Sequence, residues 1–261
     1  MADTAQLFLA EDGTPRLRRC AVLFLDLLGV REMARSPEAA THLAALDRAV
    51  RSSYRDFLDP SSNLAAAVFS DSLVIAAPIV ESELERDTVL GLITEAAYVQ
   101  FVLVEQGFFV RGGLAIGDFH IHDSVIFGEA LVNAYERESR DAVHPRVIID
   151  RPVEDILRNV EAGESFSSAG DFLICDEDGW TFIDYLAPVF DAYEDARPHL
   201  RHHRDTLVAK LALHAKERRY WEKYRWVAEY HNNVVRTRSA KIRDLLVPAN
   251  HMTWRFSRFA S

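Results

Sequence analysis

The chain has 261 residues, of which 49% are hydrophobic and 27% are charged, and its formal net charge is −10. This composition is typical of a globular protein with a substantial core. The acidic balance excludes broad nucleic-acid binding, because no basic stripe is available for a phosphate backbone. No apolar run reaches the roughly 18 residues of a membrane helix, and the N-terminus lacks the pattern of a signal peptide. We therefore expect a cytoplasmic protein without membrane or nucleic-acid partners, in which Cys20 and Cys175 stay unpaired.

Apolar β-rich runs alternate with helix-period segments over the first 150 residues. The strand "CAVLFLDLLG" precedes a helix over 32–57, and "NLAAAVFSDSLVIAAPI" predicts two strands joined by a turn at Ser70-Asp71. A helix over 84–105, the hairpin "FFVRGGLAIGDFHIHDSVIFG", a helix over 128–140 and a strand at 146–149 follow. The order predicts an α/β (α+β) fold with a ferredoxin-like βαββαβ core. Nucleic-acid-binding modules share this order, but the acidic charge disfavours that alternative.

The pattern weakens after residue 150, so we interpret 1–150 as the core and 151–261 as a C-terminal extension of the same domain. A long charged helix is predicted over about 197–231. Its segment "KERRYWEKYRWVAEYHNN" mixes bases with aromatic residues, as some single-strand binders do. The helical spacing of its apolar and aromatic residues instead favours packing against the core or a dimer partner.

Two acidic residues occupy special places on the predicted strands. Asp26 interrupts the apolar first strand, and Asp71 lies at the turn of the next hairpin. Buried carboxylates need compensating partners, and these two converge at one edge of the predicted sheet. Together with the backbone amides of Leu27, Leu28 and Gly29, which lead into a helix, they would hold a divalent metal ion and a triphosphate. The alternatives are that Asp71 serves the turn and that Asp26 caps a backbone amide.

The chain resembles the class III nucleotidyl cyclases over roughly residues 20–150. The family's core has this topology, and its two metal-binding aspartates occupy the places of Asp26 and Asp71. The segment "FGEALVNAYERES" is similar to the family's helix with a Val-Asn pair and an arginine, and its spacing of four puts Asn133 and Arg137 on one helical face. The resemblance implies two Mg²⁺ or Mn²⁺ ions at the aspartates, a ribose-orienting Asn133 and an Arg137 that stabilises the α-phosphate. The alternative for Asn133 and Arg137 is an exposed helix surface.

The segments "FFVRGGLAIGDFH", "FGEALVNAYERES" and "WVAEYHN" are most similar to the pyrimidine cyclases of bacterial Pycsar anti-phage systems. This resemblance implies a homodimer with shared active sites, in which the aspartates of one subunit face the Asn and Arg of the other. It also implies conversion of UTP to cyclic UMP and pyrophosphate, with the product acting on a separate effector protein. The alternatives are a cytidylate cyclase that uses CTP and a catalytically silent nucleotide-binding protein.

The choice of base depends on few residues. Adenine-selecting members of the family usually carry a lysine just upstream of the second metal aspartate, whereas this chain has no lysine before Lys210. Arg111, a cation among apolar strand residues, is predicted to read a pyrimidine carbonyl, with a structural ion pair as the alternative. Tyr54 either lines the same pocket or packs in the core. We expect UTP, because arginine is a donor-only group that suits carbonyl oxygens.

Overall fold

The structure, a computed structural model, describes residues 7–57, 64–79, 85–158, 171–238, 240–248 and 257–258. A nine-stranded sheet forms its centre, in the order β2-β3-β1-β4-β6-β8-β7-β9, with β5 paired to β4. The strands are β1 (Arg18–Leu27), β2 (Ala65–Phe69), β3 (Ser72–Pro78), β4 (Val110–His122), β5 (Val125–Phe127), β6 (Val147–Ile149), β7 (Leu173–Cys175), β8 (Thr181–Ile183) and β9 (Ser257–Arg258).

Eight α-helices surround the sheet in the described part of the chain. They are α1 (Val30–Arg35), α2 (Ala39–Phe57), α3 (Glu85–Glu105), α4 (Glu129–Glu136), α5 (Arg151–Arg158), α6 (Ala187–Ala192), α7 (Arg197–Leu213) and α8 (Arg218–Arg238). A π-helical turn over Arg137–Asp141 continues α4, and a 3-10 helix over Ala240–Leu245 follows α8.

The first four strands confirm the predicted ferredoxin-like βαββαβ core. β1 is antiparallel to both β3 and β4, and β2 is antiparallel to β3. Helices α1 and α2 connect β1 to β2, and α3 connects β3 to β4. β1 therefore lies between two strands and is covered on both faces, which accounts for its continuous apolar sequence.

Side chains of β1 alternate between two hydrophobic clusters. Leu23 and Leu25 pack in a cluster that contains the buried side of α3, whereas Val22 and Phe24 pack in one that contains residues of α4. Because side chains two apart share a face of the sheet, Asp26 lies on the α4 face at the end of β1. The strand thus delivers one carboxylate to the edge of that face.

Glycines in β4 allow α4 to lie close to the sheet. A Cβ atom on Gly113 would come within 2.2 Å of the Ala134 carbonyl oxygen and 2.5 Å of Arg137 Cβ. Any larger residue at this position would therefore push away the helix that carries Asn133 and Arg137.

Three predicted helices are interrupted, so the predictions of single helices were wrong. The helix over 32–57 breaks between α1 and α2 at Ser36, which is extended (φ −77°, ψ 157°) because the next residue is Pro37. The helix over 128–140 changes to π-helical geometry at Arg137. The helix over 197–231 is divided into α7 and α8, between Leu213 and Arg218.

Residues after 150 add β7, β8 and β9 to the same sheet. Helices α7 and α8 pack with residues of β6, β7 and β8 and with the end of α3, and α8 buries Tyr224, Val227 and His231. The prediction that this segment is a packing helix is confirmed. Both cysteines are free, as expected.

Helix α3 is long and apolar enough to cross a membrane by length and composition alone. Half of its side chains are buried against the sheet and neighbouring helices, and a core helix of a folded domain passes the same test.

Candidate functional site

Asp26 and Asp71 lie side by side at one edge of the sheet. Asp26 ends the register of β1 against Ser72 of β3, and the Leu27 amide donates a hydrogen bond to the Asp71 carbonyl oxygen at 2.9 Å. Both aspartates line one cavity of about 660 Å³. The structure therefore brings together the two predicted metal ligands, while their metal-binding role remains a prediction.

Asp26 is partly neutralised by Arg111, its cross-strand partner on β4. Nη2 of Arg111 lies 3.4 Å from Oδ2 of Asp26. Burial raises the pKa of the Asp26 carboxyl, Arg111 opposes this shift, and the nearby Asp71 carboxylate adds to it. A second cation close to this carboxylate would stabilise its charged form.

Glu138 is the second partner of Arg111 and was missed by sequence reasoning. Its side chain is buried, and its Oε1 atom forms an ion pair with Arg111 Nη2. Burial raises the pKa of the Glu138 carboxyl, with Arg111 acting in the opposite direction. The available signal was Arg111 itself, a strand cation that needs an anion, but the sequence did not indicate which carboxylate would supply it.

Arg111 is engaged by these two carboxylates and is not among the residues that line the cavity. Its predicted role in reading a pyrimidine carbonyl is therefore not supported, and the structural ion pair, the alternative, is what the fold shows. Both carboxylates contact the same nitrogen, Nη2 of Arg111, and its Nε atom has no hydrogen-bond partner among the described residues. Tyr54 lies on α2, but its side chain falls outside the described residues.

The backbone amides after Asp26 require a second correction. Leu27, Leu28 and Gly29 all line the cavity, as predicted. However, the Leu27 amide donates to Asp71, and the Leu28 amide donates to the Phe109 carbonyl oxygen at 2.9 Å. These two donors are already used by the sheet, so they do not form the expected phosphate cradle. Gly29 adopts a left-handed conformation (φ 83°) that turns the chain into α1.

Asn133 and Arg137 share a helical face, since the Arg137 amide donates to the Asn133 carbonyl oxygen across the end of α4. The Arg137 guanidinium lies 3.1 Å from Asp141 and 5.3 Å from the centre of the Trp180 ring. Neither residue lines the cavity of Asp26 and Asp71 in the same chain. The structure therefore keeps the predicted catalytic pair apart from the predicted metal ligands.

The C-terminal helices supply a second part of the cavity lining. Lys210 of α7 and Lys223, Tyr220 and Tyr224 of α8 line it. Burial lowers the pKa of the Lys223 ammonium, as do neighbouring arginines, and the carboxylates of Asp26 and Glu138 raise it. Sequence reasoning missed these cations because it assigned the segment to helix packing. The signal was the interleaving of bases with aromatic residues.

The donor set suits a hard divalent cation that a ligand helps to hold. In the described part of the chain, no three His, Cys, Asp or Glu residues gather as a complete metal cage. Mg²⁺ needs no such cage, because it binds through one or two carboxylates, water and the phosphates of a substrate. Asp26 and Asp71 beside an open cavity fit that requirement.

Comparisons with known proteins found similar structures at low sequence identity. No protein-family model matches the chain, and neither does any curated protein sequence. The adenylyl cyclase CyaB from P. aeruginosa is similar in structure, with 10% identity, a TM-score of 0.49 and coverage of 64% of this chain and 94% of its own. The guanylate cyclase domain of RhGC from Catenaria anguillulae, solved with GTP, gives 12% identity, a TM-score of 0.44 and coverage of 63% and 93%. At these values no residue role is transferred from either protein.

Proposed function

We propose that the protein is a nucleotidyl cyclase that converts UTP to cyclic UMP and pyrophosphate. The observation that carries the proposal is that Asp26, Asp71, Lys210 and Lys223 line one cavity. A volume of about 660 Å³ is within the usual range for small-molecule sites. Carboxylates and ammonium groups in one cavity match a metal-bound triphosphate.

The reaction forms a bond from the ribose 3′-oxygen to the α-phosphorus and breaks the bond between that phosphorus and the β-phosphate bridge. The 3′-hydroxyl loses its proton, and pyrophosphate leaves. Asp26 and Asp71 would hold the divalent cations, whose chemistry there is activation of the hydroxyl and neutralisation of the triphosphate. The cations of α7 and α8 stabilise the charge on the leaving pyrophosphate.

The choice of UTP rests on the sequence resemblance to pyrimidine cyclases and on the absence of lysine upstream of Asp71. Arg111 pairs with carboxylates and does not line the cavity, so it is not assigned to the uracil carbonyls here, and CTP is the competing substrate. The same sequence resemblance supports an anti-phage role, in which cyclic UMP acts on a separate effector protein.

The proposed assembly is a homodimer with shared sites. Its support is that Asn133 and Arg137 lie outside the cavity of their own chain. The α4 face also exposes large apolar side chains, including Phe69, Val132 and Tyr135. Phe69 and Tyr135 both pack against Phe24, with ring centres 6.3 and 5.5 Å from it, so they form one patch. Docking a second copy on this patch would bring its Arg137 towards the aspartates.

A catalytically silent nucleotide-binding protein is the second candidate. The observation that favours it is the ion pair of Arg111 with Asp26, which places a guanidinium where a metal ion would compete. Such a protein would bind a nucleoside triphosphate without turning it over.

Product analysis separates these candidates. The purified protein is incubated with each of the four nucleoside triphosphates and Mn²⁺ or Mg²⁺, and the products are identified by mass. We expect cyclic UMP with Mn²⁺ and none from Asp71→Asn. Cyclic CMP as the only product would show that the substrate is CTP and not UTP. Purine products alone would contradict the selectivity for pyrimidines. Nucleotide binding without any product would establish the catalytically silent protein.

Subunit mixing tests the shared site. Asp26→Asn and Arg137→Ala should each be inactive as homodimers, because every site then lacks one essential group. Co-expression gives about half mixed dimers, in which one site carries both changes and the other carries neither, so roughly a quarter of the activity should return. Background activity in mixed dimers isolated with two affinity tags would place Arg137 outside the partner's site.

A further inference from the structure

The wall formed by α7 and α8 carries cations that the core fold does not provide. Lys210 and Lys223 lie in the cavity lining, and the exposed Arg219 stands at its rim. All three line the same cavity as Asp26 and Asp71. The cavity therefore has acidic groups on the sheet and basic groups on the C-terminal helices.

Neither lysine forms a close ion pair with a carboxylate within the described residues, although the charges of Asp26 and Glu138 act on Lys223. Lys210 Nζ lies over the Tyr224 ring, 5.8 Å from its centre, and both lysines are half-buried. Burial lowers the pKa of each ammonium group. A partly desolvated ammonium is stabilised by a nearby anion, so an anion that enters the cavity would stabilise both lysines.

The position of this wall relative to the aspartates is fixed by a contact across the cavity. The Tyr220 hydroxyl of α8 donates a hydrogen bond to Oε1 of Glu32 on α1 at 2.7 Å. Tyr224, one turn further along α8, packs against Phe109 with ring centres 5.4 Å apart. Helix α8 is thus held at both the rim and the base of the cavity, with Lys223 between these contacts.

We propose that the α7–α8 pair is a phosphate-binding wall, in which Lys210 and Lys223 bind the phosphate chain of a nucleoside triphosphate. The inference rests on the proposed function and deepens it, because it assigns the triphosphate to the C-terminal helices of the subunit that supplies Asp26 and Asp71. In this proposal the two lysines take the phosphate-binding role that the sequence assigned to the amides of Leu27 and Leu28, since both amides donate hydrogen bonds to backbone carbonyl oxygens. Arg219 adds charge at the entrance.

Inorganic tripolyphosphate tests the wall without any reaction. Its binding to the full chain is measured by calorimetry for the wild type, Lys210→Met, Lys223→Met and the double variant. Charge-assisted contacts lead us to expect about 10-fold weaker binding for each single change and more for the double variant. Lys223→Arg should retain most of the affinity. The matched control is Lys216→Met, because Lys216 is exposed between the two helices and lies outside the cavity lining.

A second measurement needs no variant. Wild-type protein is acetylated with and without tripolyphosphate, and the modification of each lysine is read by mass spectrometry. Protection of Lys210 and Lys223 but not of Lys216 supports the wall. Equal acetylation, equal affinity in the lysine variants, or no binding to the wild type overturns it.

These readouts separate the two proposals. Lysine-dependent tripolyphosphate binding in a protein that makes no cyclic nucleotide would keep the wall and reject the cyclase. Formation of cyclic UMP by a protein whose double variant binds tripolyphosphate as tightly as the wild type would keep the cyclase and reject the phosphate-binding wall.

Discussion

Two arginines, Arg111 on β4 and Arg146 just before β6, each meet two carboxylates in very different surroundings. Arg111 and Arg146 are adjacent, since the Gly112 amide donates to the Arg146 carbonyl oxygen at 3.0 Å. Arg146 is fully buried, pairs with Asp176 and Asp178, and lies over two aromatic rings, 5.5 Å from the centre of Trp226 and 5.8 Å from that of Phe182. We call this the sealed group.

The open group consists of Arg111, Asp26 and Glu138. Arg111 retains 22% of its side-chain exposure, and Asp26 borders the cavity beside Asp71. No aromatic ring covers the Arg111 guanidinium among the described residues. The same charges thus stabilise the fold where they are enclosed, and they remain available to a ligand where one carboxylate faces a cavity. Surroundings, rather than composition, distinguish the two groups.

The largest expected effect is on turnover, in the open group. Asp26→Asn and Asp71→Asn should each reduce the rate of cyclic nucleotide formation at least about 100-fold, because a metal-binding carboxylate is lost. Stability should be retained, since Arg111 keeps Glu138 as its partner. Rates and thermal unfolding midpoints test both statements.

The control for the aspartate variants is Asp47→Asn, whose carboxylate forms an exposed pair with Arg51 on α2. It should leave the rate unchanged. Full activity in either cavity variant would remove that aspartate from the metal site.

The next effect is on stability, in the sealed group. Arg146→Met should lower the free energy of unfolding by about 3–5 kcal/mol, because it leaves Asp176 buried without its cation. Urea denaturation measures the loss. Arg140→Met, which removes an exposed pair with Glu136, should change stability by less than about 1 kcal/mol. Similar values for the two variants would show that the sealed group is not what stabilises this region.

Arg111→Met should have a smaller effect on stability, about 1–2 kcal/mol, because Asp26 is partly open to solvent and the buried Glu138, whose pKa is already raised, can take up a proton. If Arg111 tunes the site, KM for the nucleotide should change more than the dependence on Mn²⁺ does. A loss as large as that of Arg146→Met would instead make the open group a structural element only. Steady-state kinetics and urea denaturation of the same preparation decide between these outcomes.

The sequence predicted what depends on local periodicity. The apolar run of β1, the turn at Ser70-Asp71 and the spacing of Asn133 and Arg137 each involve few residues, and the structure has all three. The break in the helix at Pro37 could also have been predicted, since the residue before a proline avoids helical geometry.

The ion-pair partners of the charged residues could not be predicted from the sequence. Glu138, the partner of Arg111, lies in the π-helical turn that follows α4. No local sequence pattern predicts that turn. Lys223 reaches the cavity because α7 and α8 separate at residues 214–217, a stretch with neither glycine nor proline. Such contacts depend on register between distant segments, as does the use of the Leu27 and Leu28 amides by the sheet.

The smallest expected effect concerns pH and is carried by His144, because Asp176 of the sealed group has a raised pKa, as Asp26 and Glu138 of the open group have. His144 stacks on Trp226 beside the sealed group, with ring centres 5.3 Å apart, and burial lowers its pKa to about 4. The unfolded chain therefore takes up this proton first, so the free energy of unfolding falls as the pH drops from about 6.5 towards 4. Asp26 and Glu138 have raised pKa values and act in the opposite direction, because the folded state binds their protons first.

His144→Phe isolates this contribution, because it keeps the aromatic stack and removes the titration. Relative to the wild type, it should gain roughly 1 kcal/mol between pH 7.5 and pH 5.5 in urea denaturation. His202→Phe, a change of an exposed residue on α7, serves as the control and should show no such gain. If His144→Phe and the wild type have parallel pH profiles, the proton linkage lies elsewhere. If the gain appears while turnover at pH 7.5 is unchanged, the sealed group contributes to folding and not to the site.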